Sequence, residues 1–545
     1  MVKQKILSTH LPPSPAQETS FILLYGPPGS GKTTTARKLA KALALPCSDL
    51  DAEIEHQAGG TVQEIFAKSG EAVFRQFEKN ALQQVLSGPP AVIALGGGAL
   101  LDMQNRQAAE ASGRVICLLA PLEVLLNRMW KEPGRRPLLD AAGETEDVLR
   151  LRLEELLAQR QAHYASFPIQ MDSSRHSPAK LAWQIQVCLG NFQVHGMSGL
   201  NKTGYSVLVQ PGGLRVLGQY LLRFGLEGPV VVVADANVSD QYGEMGLEAL
   251  RLAGYQASLV TIPAGEAHKT LATVASLWQG FVSASLDRRS TVVALGGGVT
   301  SDLVGFAAAT YLRGVSWIAV PTTLLAMADA SLGGKTGLDL PQGKNLAGAF
   351  YPPRLVLADP LTLATLPPRE LRAGLGEVVK AGLIADPDLF KLCAQGWSVV
   401  SEHLEEVVRR SMAVKVRIVQ TDPYEHGRRA VLNLGHTLGH AIETASDYQL
   451  LHGEAIAIGL VAEARLAERL GLASDGLAIR IADCLSGLGL PTEIPDALSP
   501  EAIIRAAMVD KKRHKGSLRF TLPIRPGLVR VGVPVPNWEQ LFIER

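Results

Sequence analysis

Short apolar runs recur along the chain. FILLYG, AVIALGGG, RVICLLA and PVVVVADAN are each of strand length, and segments of helical length with helical apolar spacing separate them. That alternation predicts α/β domains built on parallel sheets. From about Leu366 the pattern changes. EVVRRSMAVKVRIVQ and EAIAIGLVAEARLAERLGL read as amphipathic or buried helices, so a mostly helical part follows.

At 545 residues the chain exceeds what one hydrophobic core organises. Residues 1–19 form an N-terminal tail and 20–190 a first α/β domain. GNFQVHGMSGLNKTG places a linker at 191–204, followed by a second α/β domain at 205–365 and a helical domain at 366–545. The tetrapeptide LGGG follows a strand-like run twice, at Leu95–Gly98 and Leu295–Gly298, where glycine lets backbone approach a ligand.

Charge narrows the partners. Lys+Arg number 53 against 52 Asp+Glu, so neither nucleic acid nor a membrane surface is expected as a partner, and phosphate binding must be local. The five cysteines are scattered, which fits a reducing cytoplasm. No apolar run has the length of a signal peptide or a membrane span.

FILLYGPPGSGKTTTARKLAKAL has the spacing of a phosphate-binding loop between a strand and a helix. Gly26, Gly29, Ser30 and Gly31 turn backbone N–H groups toward a phosphate. Lys32 adds a point charge, and Thr33, followed by Thr34, offers a hydroxyl to magnesium. Farther on stand Asp49 and Asp51 in CSDLDAEIE, Arg75 and Glu78 in FRQFE, Gly96–Gly98, Arg136 in RRPLL and Arg160 in RQAHY. This ordered set resembles shikimate kinase over roughly residues 20–190. The resemblance implies Mg-ATP as cofactor, Lys32 and Asp51 as catalytic residues, and Asp49 with Thr33 at the magnesium. It also implies Arg75, Gly97 and Arg160 around shikimate and Arg136 on a lid over ATP. Arg135 adjoins Arg136, and the sequence alone does not separate them. MDSSRHSP resembles the adenine-side loop of that family.

In the second half, PVVVVADAN ends in Asp235 and Asn237, where an acidic side chain meets ribose hydroxyls in many nucleotide-binding domains. PAGEAHK, ALGGGVTSD and PTTLLAMADASLGGKTG follow. LNLGHTLGHAIE sets His436 and His440 on one helical face, but Thr437 stands where a zinc protease needs glutamate, which argues against proteolysis. Glu377 and His452 lie in apolar runs where an unpaired charge is costly, and a histidine/carboxylate metal site suits zinc.

Together these segments resemble 3-dehydroquinate synthase over about residues 200–540. The resemblance implies zinc (or cobalt) on Glu377, His436 and His452. It implies NAD at Asp235, Asn237, Glu266, Ala267, His268, Lys269, Gly297, Gly298, Val299, Asp302, Thr322, Thr323, Lys335, Lys344 and the run Thr362, Leu363, Ala364, Thr365. For the substrate, 3-deoxy-D-arabino-heptulosonate 7-phosphate, it implies Arg313, Asp329, Lys335, Asn345, Lys380, Lys415, Arg429, Asn433 and His440, with Glu425 and His440 handling protons. A homodimer through the synthase region is also implied. Other readings stand beside this one: a related sugar-phosphate cyclase or metal-dependent polyol dehydrogenase in the second half, and a kinase half that only senses nucleotide and regulates the synthase. DKKRHKGSLRF is read as a segment near the substrate phosphate, with Lys511 and Lys512 not separable, or as a solvated turn.

Overall fold

In the computed structural model the described residues are 21–131, 145–197, 204–513 and 518–540, with backbone only at 509–513. The N-terminal tail 1–19, Arg135, Arg136 and the side chains of Lys511 and Lys512 lie outside them. The chain divides into two compact units, Met1–Leu189 and Gly190–Arg545.

The first unit is an all-parallel sheet of β1 (Phe21–Tyr25), β2 (Cys47–Asp49), β3 (Val92–Ala94), β4 (Gly113–Leu119) and β5 (Ile169–Asp172), in the order β2-β3-β1-β4-β5. Every side chain of β1 is buried because helices cover both faces. The two-residue period sends Phe21, Leu23 and Tyr25 into one core, and Ile22 and Leu24 into the other. The helix Lys32–Leu43 packs Ala36, Leu39, Ala40 and Leu43 into that second core, so the loop before it is fixed at both ends.

The second unit holds β6 (Asn191–Val194), β7 (Tyr205–Val209), β8 (Val230–Asp235), β9 (Ala257–Ile262), β10 (Thr291–Gly296) and β11 (Ser316–Pro321). A hairpin of β12 (Lys335–Leu340) and β13 (Gly343–Phe350) precedes β14 (Leu355–Ala358). The main sheet has the order β6-β7-β14-β11-β10-β8-β9 and is parallel except for β6 against β7. This corrects the expected linker at 191–204: its first residues form a paired strand with Phe192 and Val194 fully buried. With only two apolar residues in four, NFQV is too short for its alternation to stand out.

After β14 the chain is mostly helical, and it ends in a hairpin of β15 (Arg519–Arg525) and β16 (Leu528–Pro534), which the helical expectation did not include. The helix His452–Arg469 is buried on nearly all sides. It touches the helices Pro368–Ala385 and His436–Ala445 backbone to backbone. A Cβ on Gly459 would lie 2.1 Å from Gly435 O, and one on Gly453 would lie 1.8 Å from Ala373 O. Among the described residues no helix is long and apolar enough to cross a membrane.

Two candidate active sites

In the first unit β1 ends at Gly26, and the chain turns through Gly31 into the Lys32 helix. Gly26 has φ 133, and a Cβ there would lie 2.2 Å from Leu118 O, so the turn has no room for a side chain. Lys32 Nζ donates to the carbonyls of Gly26 and Pro27, both at 3.0 Å, which bends it back over the loop. Ser30 Oγ is buried without a hydrogen-bond partner among the described residues. Thr33 Oγ1 donates to Asp49 Oδ2 at 2.7 Å, and Thr34 is exposed beside it. A hydroxyl and a carboxylate at a phosphate loop form an oxygen donor set suited to magnesium.

The turn Gly96–Gly98, just past β3, collects the expected substrate residues from separate helices. A Cβ on Gly96 would lie 3.0 Å from Asp51 Oδ1 and 3.2 Å from Glu78 Oε1, and one on Gly98 would lie 2.9 Å from Arg75 Nη2. Gly97 O accepts from Arg160 Nη1 (3.1 Å), Tyr164 OH (2.8 Å) and Tyr25 OH (3.2 Å). Asp51, Arg75, Gly97 and Arg160 therefore converge. Glu78, which had no assigned role, is 2% exposed and pairs with Arg75 at 2.7 Å. Burial pushes its carboxyl up, against the opposing pull of Arg75. Its signal was its place one turn after Arg75. Arg128 was also missed: it joins Gly29 O at 3.2 Å to Ser173 O at 2.7 Å, tying the phosphate loop to the MDSSRHSP segment.

In the second unit most of the expected dinucleotide residues lie at or just past the ends of β8, β10, β11 and β14, adjacent strands of one sheet. Open parallel sheets bind ligands at that edge. Asp235 ends β8 and caps the amides of Asn237 (3.1 Å) and Val238 (3.2 Å). Gly297 precedes the helix Gly298–Thr310, whose first turns carry Val299 and Asp302. Thr322 and Thr323 follow β11, while Thr362, Leu363, Ala364 and Thr365 form a turn after β14. Thr322 Oγ1 and Ser301 Oγ are buried without hydrogen-bond partners among the described residues. Such orphaned groups at a sheet edge suit a polar ligand.

Glu266, Ala267 and His268 form a turn after β9, and the buried Lys269 follows. Lys269 pairs with Asp302 at 2.6 Å and donates to Asn345 Oδ1 at 2.5 Å. Burial nonetheless pushes the Asp302 carboxyl up to about 6. Lys344, on β13, lies 3.8 Å from Glu266 Oε1.

The three packed helices bring Glu377, His436 and His452 together. Glu377 Oε1 lies 3.6 Å from His436 Nε2 and 3.5 Å from His452 Nε2, is buried, and has no hydrogen bond of ordinary geometry among the described residues. Ligand atoms about 2.1 Å from a tetrahedral ion stand roughly 3.4 Å apart, so one carboxylate oxygen and two imidazole nitrogens fit zinc here. His436, His440 and His452 also form a cluster with ligand atoms within 4.8 Å of one another. The buried oxygen favours Glu377 as the third ligand, and His440 is on the exposed side. Burial disfavours a charged His452, but Glu377 and Glu443 outweigh it and push the imidazole up to about 9. Glu443, another missed residue, faces His452 Nδ1 at 3.2 Å. It follows His436 by seven residues, two turns along the same helical face. Glu463, also missed, accepts from Gly435 N at 2.6 Å, and burial pushes its carboxyl up to about 8.

Charged groups cluster around this centre. Lys380 pairs with Glu377 Oε2, and both are nearly inaccessible to solvent. Lys415 pairs with Asp329 at 2.6 Å. Burial opposes the charge on Asp329, but Lys415 and Lys380 hold its carboxyl below the usual range. Arg429 is buried against Gly333, with Nε lacking a hydrogen-bond partner among the described residues. Lys335 and Glu425 form an exposed pair, and Asn433 is exposed just before Gly435. Arg313 stands apart: it is exposed, has φ 69, and makes no hydrogen bond or ion pair with the other site residues among the described contacts.

The shikimate kinase family matches residues 28–189, and the N-terminal and C-terminal families of 3-dehydroquinate synthase match 259–373 and 374–513. The 3-dehydroquinate synthase of Synechocystis sp. is 45% identical over 345 residues, covering 62% of this chain and 96% of its own length. A 2-epi-5-epi-valiolone synthase from Streptomyces hygroscopicus subsp. jinggangensis, solved with NAD+ and Zn2+, is 32% identical with TM-score 0.58, covering 64% of this chain and 97% of that one. Shikimate kinase from Acinetobacter baumannii, solved with shikimate, is 34% identical with TM-score 0.29, covering 32% of this chain and 94% of that one.

Proposed function

This chain belongs to the shikimate kinase family through its first unit and to the 3-dehydroquinate synthase family through its second, and from that premise we infer how its residues divide two reactions. It is a bifunctional enzyme of the shikimate pathway. The first unit transfers phosphate from Mg-ATP to shikimate, giving shikimate 3-phosphate. The second converts 3-deoxy-D-arabino-heptulosonate 7-phosphate to 3-dehydroquinate and phosphate, with NAD and a zinc or cobalt ion.

In the kinase reading, the amides of Gly29–Thr33 and Lys32 bind the phosphates, while Thr33 and Asp49 hold magnesium. Asp51 accepts the hydrogen bond of the attacking hydroxyl. Arg75 and Arg160 fork onto the shikimate carboxylate, a geometry that lysine lacks. Their existing bonds support this role, since Glu78 and Gly97 O already fix the guanidinium planes.

In the synthase reading, Glu377, His436 and His452 hold the ion, and the β8, β10, β11 and β14 ends hold the dinucleotide. When bound, the ion polarises a substrate hydroxyl and NAD takes up and returns one hydride, so NAD is not consumed. Lys380, Lys415 and Arg429 provide cationic groups for the substrate's carboxylate and phosphate. Asn345, Asn433 and Lys335 orient hydroxyls, and Glu425 and His440 move protons at the exposed side. A homodimer through the second unit and a cytoplasmic location belong to the same reading, and sedimentation at assay concentration tests the first.

The observation that carries the second reaction is the buried Glu377 Oε1 facing two imidazoles with no well-formed hydrogen bond among the described residues. The test measures phosphate release from the heptulosonate with NAD and zinc, and shikimate phosphorylation with Mg-ATP, in the parent, His436→Ala and Lys32→Ala. Each variant should lose its own reaction and keep the other. Chelating zinc while leaving magnesium should act as His436→Ala does. Loss of both reactions in either variant, or a parent lacking one, would sink the assignment.

A further inference from the structure

Glu443 touches both halves of the second site. Its Oε2 faces His452 Nδ1 at 3.2 Å, while its Oε1 accepts from Lys344 Nζ at 3.2 Å. Lys344 also stands 3.8 Å from Glu266 Oε1 and 4.2 Å from the Tyr448 ring centroid. Glu443 is 8% exposed, so its two cationic-side contacts are poorly screened by water.

A carboxylate accepting from Nδ1–H fixes the histidine tautomer and leaves the Nε2 lone pair for a ligand. Here Nε2 is the atom turned toward Glu377. The same carboxylate is partly neutralised by Lys344. A dinucleotide oxygen that draws on Lys344 leaves more of the Glu443 charge to His452, which makes the imidazole a more basic ligand. A cation on Nε2 makes Nδ1–H a stronger donor, which binds Glu443 more firmly and loosens its hold on Lys344.

We propose that Glu443 is a positioning residue that couples the two cofactor sites, so that NAD+ tightens the metal and the metal tightens NAD+. The effect must be reciprocal, because it is one coupling free energy. This inference rests on the reading that Lys344 and Glu266 face the dinucleotide.

The test uses the full chain stripped of metal. Its Zn2+ affinity is measured by competition with a chromophoric chelator, without and with saturating NAD+, and NAD+ affinity is measured calorimetrically on the metal-free protein. NAD+ should tighten Zn2+ about fivefold or more in the parent. Glu443→Gln should weaken Zn2+ by roughly 10–100-fold and abolish the NAD+ effect. Lys344→Met should weaken NAD+ in the metal-free protein and also abolish the effect.

If Lys344→Met binds NAD+ as tightly as the parent, the dinucleotide reading of Lys344 fails, and the coupling with it. If it binds NAD+ more weakly but the parent shows no NAD+ effect on Zn2+, the coupling alone is wrong. Full coupling in Glu443→Gln overturns the role of Glu443. Should thermal unfolding show that this variant does not fold, the parent and Lys344→Met decide the matter.

Discussion

Arg75 is held by two carboxylates at once, Glu78 at 2.7 Å and Glu71 at 2.9 Å, so its guanidinium plane is set before any substrate arrives. Lysine keeps the charge but loses the fork. A charge-assisted hydrogen bond contributes about 1.5–3 kcal/mol, so Arg75→Lys should raise the KM for shikimate roughly tenfold to a hundredfold. The KM for ATP should stay near the parent value. Initial-rate kinetics with each substrate varied in turn check this, and a matching rise for ATP would mean that Arg75 shapes the whole fold instead. Roles of this kind were legible where residue type and spacing carry the chemistry, as with Lys32 and Thr33 in the loop, or His436 and His440 on one helical face. They were not legible where a residue acts through another. Glu78 and Glu443 are ordinary helical glutamates until the structure shows what each one faces, and Tyr25 reads only as the last apolar residue of a strand.

The proposed metal centre depends on how closely three helices approach. Gly459 meets Gly435 O, and Gly376 meets Gly453 O, with no space for a methyl: the added Cβ would lie 2.1 and 2.4 Å from those oxygens. His436 directly follows Gly435 and His452 directly precedes Gly453, so the contacts that seat the helices also seat the proposed ligands. Overpacking a tight contact costs about 1–3 kcal/mol. Gly459→Ala should therefore lower the thermal stability of the second unit and weaken its Zn2+ affinity, while shikimate phosphorylation is unchanged. Unfolding curves and chelator competition measure the two effects, and a variant with parental Zn2+ affinity would show that the ligands do not depend on this contact. The pattern of elements was mostly readable, because β1, β8 and β10 are continuous apolar runs buried on both faces. The glycine contacts were not, since small residues in a helix indicate close packing without naming the partner.

Each unit has its own sheet and its own core, and no strand of one sheet belongs to the other. Each proposed active site is assigned residues of its own unit alone. Where the chain is cut should matter greatly. Reading 191–204 as a linker makes a break after Gly204 harmless. The structure argues otherwise, because β6 pairs along the whole of its length with β7, buries Phe192 and Val194, and receives a hydrogen bond from Gln420 at Gln193 O. Cutting after Gly204 separates β6 from the second unit and exposes the edge of β7, which is a template for aggregation. Cutting after Leu189 leaves that pairing intact. Two fragments divided after Leu189 should each keep the specific activity of the full chain, whereas a second fragment beginning after Gly204 should be less stable and lose soluble synthase activity. Equal synthase activity and equal thermal stability from both cuts would restore the linker reading and make β6 dispensable.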